Sequence, residues 1–252
     1  MSGWLKNSRW LPLHVLLGVV FLSGLCTVAL NSVAYQWNFD AVWGYREKLL
    51  IGWGVTIGLA VASLFLSTFF GLLCALMRRS HWMPLRATAI VYTELIRSTP
   101  LLVQILLLYY GVAQSVGLNN RYVAGVVILS LFAGAYISEI IRAGIEGIPR
   151  TQIESAHSLG FTPVQTYRFV ILPQALRQIL PPMTGQFISL IKDSSLLMII
   201  GVQEFTQSAR EVNSYTYSTL ESYLPLALGY LLLTLPLSIL AHRLEKRMRY
   251  GS

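Results

Sequence analysis

The chain has 252 residues, of which 54% are hydrophobic and only 12% are charged, and its mean hydropathy is +0.58. Soluble domains carry about 25% charged residues, so this composition excludes an ordinary soluble protein. The formal net charge of +8 would suggest nucleic-acid binding in a soluble chain, but we attribute it to membrane orientation and expect no nucleic-acid partner.

Six apolar stretches have the length of membrane-spanning helices. Apolar runs near 20 residues cross a hydrocarbon layer of about 30 Å, whereas outer-membrane barrels show alternating segments of about ten residues. No such alternation is visible, so we predict an all-α integral membrane protein with about six transmembrane helices. The predicted spans lie near residues 11–30, 49–77, 88–117, 121–148, 181–203 and 223–241.

The first predicted span, 11–30, has two interpretations. A basic start followed by apolar residues is also typical of a secretory signal. This run is longer than a usual signal core, however, and Cys26 lies one position too late for a lipoprotein cleavage box. We therefore predict a retained helix and an external linker over residues 1–44, followed by a single membrane domain over 45–250.

The Lys and Arg residues favour one orientation. If the N-terminus is cytoplasmic, thirteen of the 19 fall in inside segments and two, Arg97 and Lys192, fall within spans. Lys and Arg collect on the cytoplasmic side of spans, so both termini are predicted inside. The four that remain outside are Arg46, Lys48, Arg121 and Arg210.

The third predicted span contains a break at "RSTP". Thr99 is a plausible N-cap and Pro100 a plausible first helical residue, and the N-termini of half-helices attract substrate carboxylates in transporters. We predict that the amides after Thr99, with Gln104 nearby, receive the α-carboxylate of an amino acid, braced from below by Glu94 and Arg97. The alternative makes residues 84–97 an interfacial helix without substrate contact.

The polar loop of about 149–173 carries two capping boxes, in which a side chain at each end satisfies an orphan amide at the start of a helix. Thr151 is followed three residues later by Glu154, and Thr162 by Gln165. The spacing predicts two short capped helices joined by a tight turn. Because a solvated connector needs neither box, we favour a docking role over a merely ordered connector.

The same loop resembles the cytoplasmic signature of ABC-importer permeases. Ser155 replaces the first of the two alanines that usually follow the glutamate, and Val170 replaces a common isoleucine. The stretches 94–104, 135–150 and 180–197 are similar to the polar amino acid uptake branch, so the resemblance covers roughly 45–250. The residues that carry the loop signature are Glu154, Ser155, Ala156, Gly160, Val170, Leu172 and Pro173.

The resemblance implies a five-helix importer core plus the N-terminal helix, with a cytoplasmic coupling helix that lies in a groove of an ATPase. Glu154 and Gly160 would set the loop's shape, and Ala156 would let surfaces approach closely; Ser155 and Pro173 complete the ATPase-coupling set. The implied partners are an ABC ATPase dimer, a second permease subunit that is the same or homologous, an external solute-binding protein, a polar amino acid and the lipid membrane of the bacterial plasma (inner) membrane.

No catalytic or cofactor site is predicted on this chain. It has no GxxxxGK[ST] loop, so ATP and Mg belong to the partner ATPase and the chain is not itself an enzyme. Its four histidines lie far apart without metal-ligand spacing, so no metal is expected. Cys26 and Cys74 lie inside apolar runs and are interpreted as buried thiols.

Charged residues inside spans mark the remaining candidates, since each costs about 2.5–3.5 kcal/mol near mid-bilayer. Lys192 and Asp193 are adjacent and point about 100° apart on a helix, so at least one needs another partner. Glu139 lies at matching depth, which permits a Glu139–Lys192 pair; Arg142 is expected to bind Glu139 or to reach the headgroups. The predicted substrate pathway comprises Thr99, Gln104, Glu139, Arg142, Lys192, Asp193, Ser194 and Ser195.

Two alternatives stay open at this point. The ion pair at Glu139 is also consistent with a purely structural role, and the intramembrane carboxylates also fit an ion-coupled secondary amino acid transporter in which Glu139 or Asp193 relays protons. Such a carrier is typically built from inverted repeats, which the sequence does not show. The polar segment 204–222 is predicted either as a short helix over the pore mouth or as a solvated connector.

Overall fold

The structure, a computed structural model, describes residues 20, 21, 24, 27, 28 and 35–249. The predicted first span lies almost wholly outside these residues. Of the described residues, those from Asp40 onward belong to one compact unit. The helices of residues 35–249 are α1 (Phe39–Trp43), α2 (Arg46–Arg78), α3 (Met83–Ser98), α4 (Leu101–Leu106), α5 (Arg121–Glu146), α6 (Arg150–Ser158), α7 (Pro163–Thr166), α8 (Leu172–Asp193), α9 (Phe205–Thr216) and α10 (Thr219–Arg249).

Three helical segments extend these elements with a different winding. A π-helical segment, Leu107–Ala113, continues α4, and a second, Tyr167–Ile171, joins α7 to α8. A 3₁₀ segment, Ser194–Ile200, follows α8. Within the described residues no strand is present, so the prediction of an all-α membrane protein is confirmed.

Four helical segments of the described chain are long and apolar enough to cross a membrane, and the bent pair α3–α4 makes a fifth if it counts as one span. The four are Arg46–Arg78, Arg121–Glu146, Pro163–Ile200 and Thr219–Lys246. Each coincides with a predicted span. The largest difference is at Pro163–Ile200, which begins about 18 residues before the predicted start at 181.

The third predicted span is broken where the sequence indicated. The axes of α3 and α4 differ by 114° across the break. Thr99 is the C-cap of α3 with extended backbone angles (φ −122°, ψ 146°), and Pro100 occupies the N-cap of α4. The prediction that Thr99 caps the second helix is therefore wrong, because a residue before proline is pushed out of the helical region and its side chain remains with the preceding helix.

Helices α2 and α5 pack closely because small residues line their contact. A Cβ added to Gly71 would lie 2.5 Å from Ile137 Cγ2 and 3.1 Å from the Gly134 carbonyl oxygen, and one added to Gly134 would lie 3.4 Å from the Ser67 carbonyl oxygen. In a membrane, where lipid tails are as apolar as leucine, close backbone approach of this kind drives helix association. This helix pair forms the centre of the bundle.

The two loop helices differ from the prediction in their ends. Helix α6 begins at Arg150 with Pro149 at its N-cap and no side-chain cap, so the Thr151–Glu154 box is wrong: the extended proline starts the helix early and leaves Thr151 inside its first turn. The Thr162–Gln165 box is confirmed, with Gln165 N donating to Thr162 Oγ1 at 3.3 Å and Thr162 N donating to Gln165 Oε1 at 2.9 Å.

The second loop helix is not short. From Pro163 the chain stays helical through the π segment into α8, and Pro173 lies in the first turn of α8. Pro173 does not end the helix because the π-helical segment just before it changes the local winding, and such π adjustments allow a membrane helix to accommodate a proline. The loop is thus one short helix, α6, followed by a turn and by the start of a long span.

Helix α9 shows that the segment 204–222 is helical and packed. Its Phe205, Ala209 and Val212 are buried against Leu49 of α2 and against residues of α10 that include Tyr230. The solvated-connector alternative is therefore wrong.

Candidate functional site

Glu139 on α5 is surrounded by three arginines. Arg78 at the end of α2 binds Glu139 Oε1, Arg97 Nη1 lies 3.5 Å from Oε2, and Arg142 Nη2 lies 2.8 Å from Oε2. The structure thus confirms binding of Arg142, whereas the postulated Glu139–Lys192 pair is wrong. The reason is lateral placement: α2 and α3 bring Arg78 and Arg97 to α5 at the depth that the sequence matched to Lys192.

A cavity of about 430 Å³ adjoins this cluster and is lined by Arg97, Tyr136, Glu139, Gln178 and Pro182 among others. Arg97 also lies over the Tyr136 ring, 5.7 Å from its centroid. Glu94 and Arg97 were expected to brace the break from below; Arg97 is instead directed to Glu139. The cluster ties α2, α3 and α5 together beside an open space.

Thr99 and Gln104 are brought into direct contact at the break. Gln104 Nε2 donates to Thr99 Oγ1 at 2.7 Å and to the carbonyl oxygens of Thr99 and Ile96 at 3.0 and 2.7 Å. Gln104 is buried, and its Oε1 has no hydrogen-bond partner within the described residues. No side chain caps the first amides of α4. The break therefore presents uncapped amides beside an unsatisfied carboxamide oxygen.

The residues from Lys192 to Ser195 lie where α8 gives way to the 3₁₀ segment. Lys192 is exposed, Asp193 is half-buried, and Ser194 is buried with its hydroxyl donating to the Ile191 carbonyl oxygen at 2.7 Å. Neither the Lys192 nor the Asp193 side chain forms a hydrogen bond or ion pair with the described part of the chain. The 3₁₀ segment contacts α4, with Leu197 and Ile200 in the same buried cluster as Leu101 and Ile105. None of the residues from Lys192 to Ser195 lines the Glu139 cavity.

In the loop, α6 points its signature residues in two directions. Glu154 and Ser155 are exposed, whereas Ala156 is buried against its own chain, where α6 contacts α7 and the following π segment. The small size of Ala156 thus serves packing within this chain. Gly160 adopts a left-handed conformation (φ +81°), as predicted for the residue past the helix.

The turn between α6 and α7 exposes large apolar side chains. Leu159 is 77% exposed and Val164 is 75% exposed, and they flank Gly160 at the tip of the loop. Exposure of two large apolar side chains to water is unfavourable, and exposed apolar patches mark interaction sites.

Glu204 is a buried residue that the sequence did not single out. It is the N-cap of α9, and its carboxylate accepts hydrogen bonds from Thr206 N at 2.8 Å, from Gln207 N at 2.7 Å and from the Tyr230 hydroxyl at 3.2 Å. Burial raises the pKa of the Glu204 carboxyl, against the opposing effect of the two amides. A glutamate before a helical pattern was the only available signal, and nothing local showed that it is buried.

This raised pKa predicts a pH dependence of stability. Because the folded chain holds the Glu204 proton more tightly than the unfolded chain, the free energy of unfolding should fall as pH rises through the interval between the two pKa values. Glu204→Gln should remove this slope in unfolding measured in detergent from pH 4 to 8. Glu204→Ala, which leaves two amides without an acceptor, should cost about 2 kcal/mol throughout; an unchanged slope in Glu204→Gln would contradict the assignment.

The described residues contain no group of three or more His, Cys, Asp or Glu side chains that would hold a metal ion. Among the candidate pathway residues, the described contacts join Thr99 with Gln104 at the bend and Glu139 with Arg142 in the arginine cluster. Asp193, Ser194 and Ser195 lie at the junction of α8 with the 3₁₀ segment, which contacts α4. Lys192 joins neither pair through a described contact.

Comparison with known proteins places these features in a family. Residues 67–250 match the family described as binding-protein-dependent transport system inner membrane component. The chain is 35% identical to the glutamine transport system permease protein GlnP of Escherichia coli (strain K12) over 85% of this chain and 99% of that protein. It is 38% identical to the L-cystine transport system permease protein TcyB of Bacillus subtilis (strain 168), over 91% and 97%.

A solved structure described as an amino acid ABC transporter with histidines is similar as well. It superimposes with a TM-score of 0.78 at 36% identity, covering 84% of this chain and 100% of that chain. The similarity in fold to this solved structure and the similarity in sequence to the permeases therefore both cover more than four fifths of this chain.

Proposed function

This chain belongs to the family of binding-protein-dependent transport system inner membrane components, and we propose that it carries a polar amino acid across the membrane as the permease subunit of an ATP-driven importer. It is a multi-pass inner membrane permease of the ABC class, a class that is not itself catalytic. Such a permease implies an ATPase, a solute-binding protein and a second permease. We assign ATP and Mg to the ATPase dimer, and both termini of this chain to the cytoplasm.

The observation that carries the proposal is the ordered turn at the tip of the loop. Helix α6 is short, its Ala156 is packed against its own chain, and Leu159 and Val164 are left exposed. A short rigid helix with an apolar tip transmits a push from an ATPase into α5 and α8, whereas a flexible loop would absorb it. We propose that this coupling also involves the remaining signature residues of the loop, Glu154, Ser155, Gly160 and Pro173.

The proposed substrate class is a polar amino acid of the glutamine type. One relative is named for glutamine and another for L-cystine, and the similar solved structure is described as an amino acid transporter. What these substrates share is the α-carboxylate and α-ammonium pair, so the site must recognise that pair whichever side chain it accepts.

The bend at Pro100 is the proposed point of that recognition. The uncapped amides of α4 carry partial positive charge and suit the α-carboxylate, while Gln104 Oε1 and the Asp193 carboxylate suit the α-ammonium group. Ser194 and Ser195 lie beside Asp193 in the proposed pathway. Glu139, Arg142 and the cavity beside them are assigned to its cytoplasmic part, and Lys192 to its wall.

Substitutions at the bend test this pathway. Thr99→Val and Asp193→Asn should each raise the KM for amino acid uptake about tenfold, while complex assembly stays normal. The first removes the hydroxyl that accepts from Gln104 Nε2, and the second removes the carboxylate proposed to bind the α-ammonium group; one hydrogen bond to a charged group is worth about 1.5 kcal/mol or more. Thr88→Val is the matched control, since Thr88 is exposed and its hydroxyl donates to the carbonyl oxygen four residues earlier, as that of Thr99 does. Normal KM values in both test variants would contradict the pathway.

The alternative function, an ion-coupled secondary transporter, is supported only by the intramembrane carboxylates. In the structure Glu139 is engaged by three arginines, which is a poor setting for a proton relay. Co-purification separates the two: an importer permease should retain an ATPase and respond to ATP, and a carrier should respond to ion gradients alone.

A further inference from the structure

A second cavity lies at the end of the bundle opposite the 149–173 loop. It has a volume of about 490 Å³, within the range of about 300–1,000 Å³ typical of small-molecule sites. Its walls come from the π segment after α4, the start of α5, the end of the 3₁₀ segment and α9. None of the residues predicted for the substrate pathway lines it.

The cavity is positively charged. Arg121 and Arg210 both line it, and no carboxylate is among its described lining residues. The Arg210 side chain forms no hydrogen bond or ion pair within the described part of the chain. Two uncompensated guanidinium groups in one concavity favour an anionic group, and guanidinium binds carboxylate with particular strength.

The other two cations predicted on this side are already engaged. Arg46 lies over the Trp43 ring and donates to its carbonyl oxygen, and Lys48 pairs with Glu211. Of the four cations only Lys48 has a carboxylate partner, and Arg46 is directed at Trp43. Arg121 and Arg210 both line the same cavity. Their positions are therefore not explained by ion pairing inside this chain.

The backbone is shaped to hold Arg121 in place. Arg121 Nη1 donates to the Gly201 carbonyl oxygen at 2.7 Å. Gly201 is left-handed (φ +75°), and a Cβ there would lie 2.6 Å from the same Nη1 atom. Glycine at position 201 thus permits both the left-handed turn and the close approach of the Arg121 guanidinium group. A surface arginine surrounded by water would require neither.

The remaining walls suit the rest of an amino acid. Tyr109 and Tyr110 meet edge to face with ring centroids 5.0 Å apart, and Met198 adds an apolar surface. Gln207 is held by Glu211 through its Nε2 at 2.9 Å, while its Oε1 is buried without a partner. Aromatic rings, a carboxamide and two guanidinium groups together accommodate an amphoteric solute.

We propose that this cavity is an entry site that receives the carboxylate of the incoming amino acid before it reaches the bend at Pro100. The site rests on the proposed function, because it takes this end of the bundle to be the external one. An acidic surface of a partner protein is disfavoured as the occupant: such surfaces are met by charges spread over a rim, whereas these two cations converge on one recess.

The test measures occupancy inside the cavity itself. Gln114 lines the cavity, so Gln114→Cys, in a chain whose Cys26 and Cys74 are changed to alanine, reports access through its rate of labelling by a neutral maleimide. The complex with its ATPase is held in nanodiscs without nucleotide. L-Glutamine and L-glutamate should slow labelling, and L-glutaminamide, which lacks the carboxylate, should not.

Arginine variants identify the recognised group. Arg210→Gln and Arg121→Gln should each raise the half-protecting concentration of L-glutamine about tenfold, the loss expected for one charge-assisted hydrogen bond, and Arg210→Lys should raise it less. Arg46→Gln is the matched control and should change nothing. Protection by the binding protein but not by free amino acid, or equal protection by the amide, would overturn the proposal. Because no ATP is used, this result is independent of whether ATP-driven uptake occurs.

Discussion

Leu159→Asp is expected to abolish ATP-driven uptake and to release the ATPase from the purified complex. Leu159 is 77% exposed at the tip of the loop, so the substitution removes almost no contact within this chain, and the bundle should fold normally. In the complex the same side chain would be desolvated against the ATPase. A charge placed there should weaken association by about 3 kcal/mol, which is the size of an interface hot spot and corresponds to more than a hundredfold in affinity.

A matched variant separates coupling from general damage. Val116 is an equally exposed apolar residue, 73% accessible, in a turn at the opposite end of the bundle. Val116→Asp should keep the ATPase bound and uptake ATP-dependent. If Leu159→Asp retained the ATPase as well as Val116→Asp does, the loop tip would not be the docking point.

Glu139→Gln is expected to destabilise the folded permease by about 3 kcal/mol. The Glu139 side chain is 14% exposed and receives Arg78, Arg97 and Arg142, so the amide would leave three guanidinium groups without their shared carboxylate. Breaking a buried ion pair costs about 3–5 kcal/mol. We expect the lower end, because Arg97 and Arg142 keep more than a third of their side-chain exposure and water screens them in part. Unfolding by denaturant in detergent micelles measures the difference.

The control for this variant lies on the same helix. Glu146 pairs with the same Arg142 but is 58% exposed, so Glu146→Gln should cost no more than about 0.5 kcal/mol. Combining Glu139→Gln with Arg142→Gln should recover part of the lost stability. Equal costs for Glu139→Gln and Glu146→Gln would show that the cluster is as well solvated as a surface pair.

The sequence predicted the spans of the described residues because the boundaries of an apolar run depend on residues close together in the chain. Charged residues such as Arg46 and Arg78 close the apolar run of α2, and length and hydropathy need no knowledge of neighbours. The break at Pro100, the left-handed Gly160 and the Thr162–Gln165 box were also confirmed for this reason. Each depends on a few consecutive residues.

Prolines account for most of the wrong local predictions. Thr99 was assigned as an N-cap with Pro100 as the first helical residue, and Thr151 from its capping-box spacing to Glu154. In both places the neighbouring proline took the N-cap position and shifted the helix boundary. Pro173 was taken to end a helix, yet the chain stays helical through it, because the π-helical segment Tyr167–Ile171 accommodates the proline.

Contacts between residues on different helices could not be predicted from the sequence. The sequence gives the depth of a residue along the membrane normal but not its lateral position. Equal depth suggested that Glu139 pairs with Lys192, whereas the partners supplied by α2 and α3 are Arg78 and Arg97. Glu204 was missed because its burial depends on the packing of α9 against α2 and α10. Both errors arise from the lateral order of helices, which hydrophobic periodicity does not determine.

Uptake into reconstituted vesicles tests the central claim most directly, which is that this permease moves an amino acid only when a partner's nucleotide cycle drives its loop. Vesicles that contain the permease, its ATPase and its binding protein should accumulate labelled L-glutamine when ATP is supplied, and vesicles that hold this chain alone should not do so under any ion gradient. Accumulation by the chain alone, with no nucleotide present, would contradict the account.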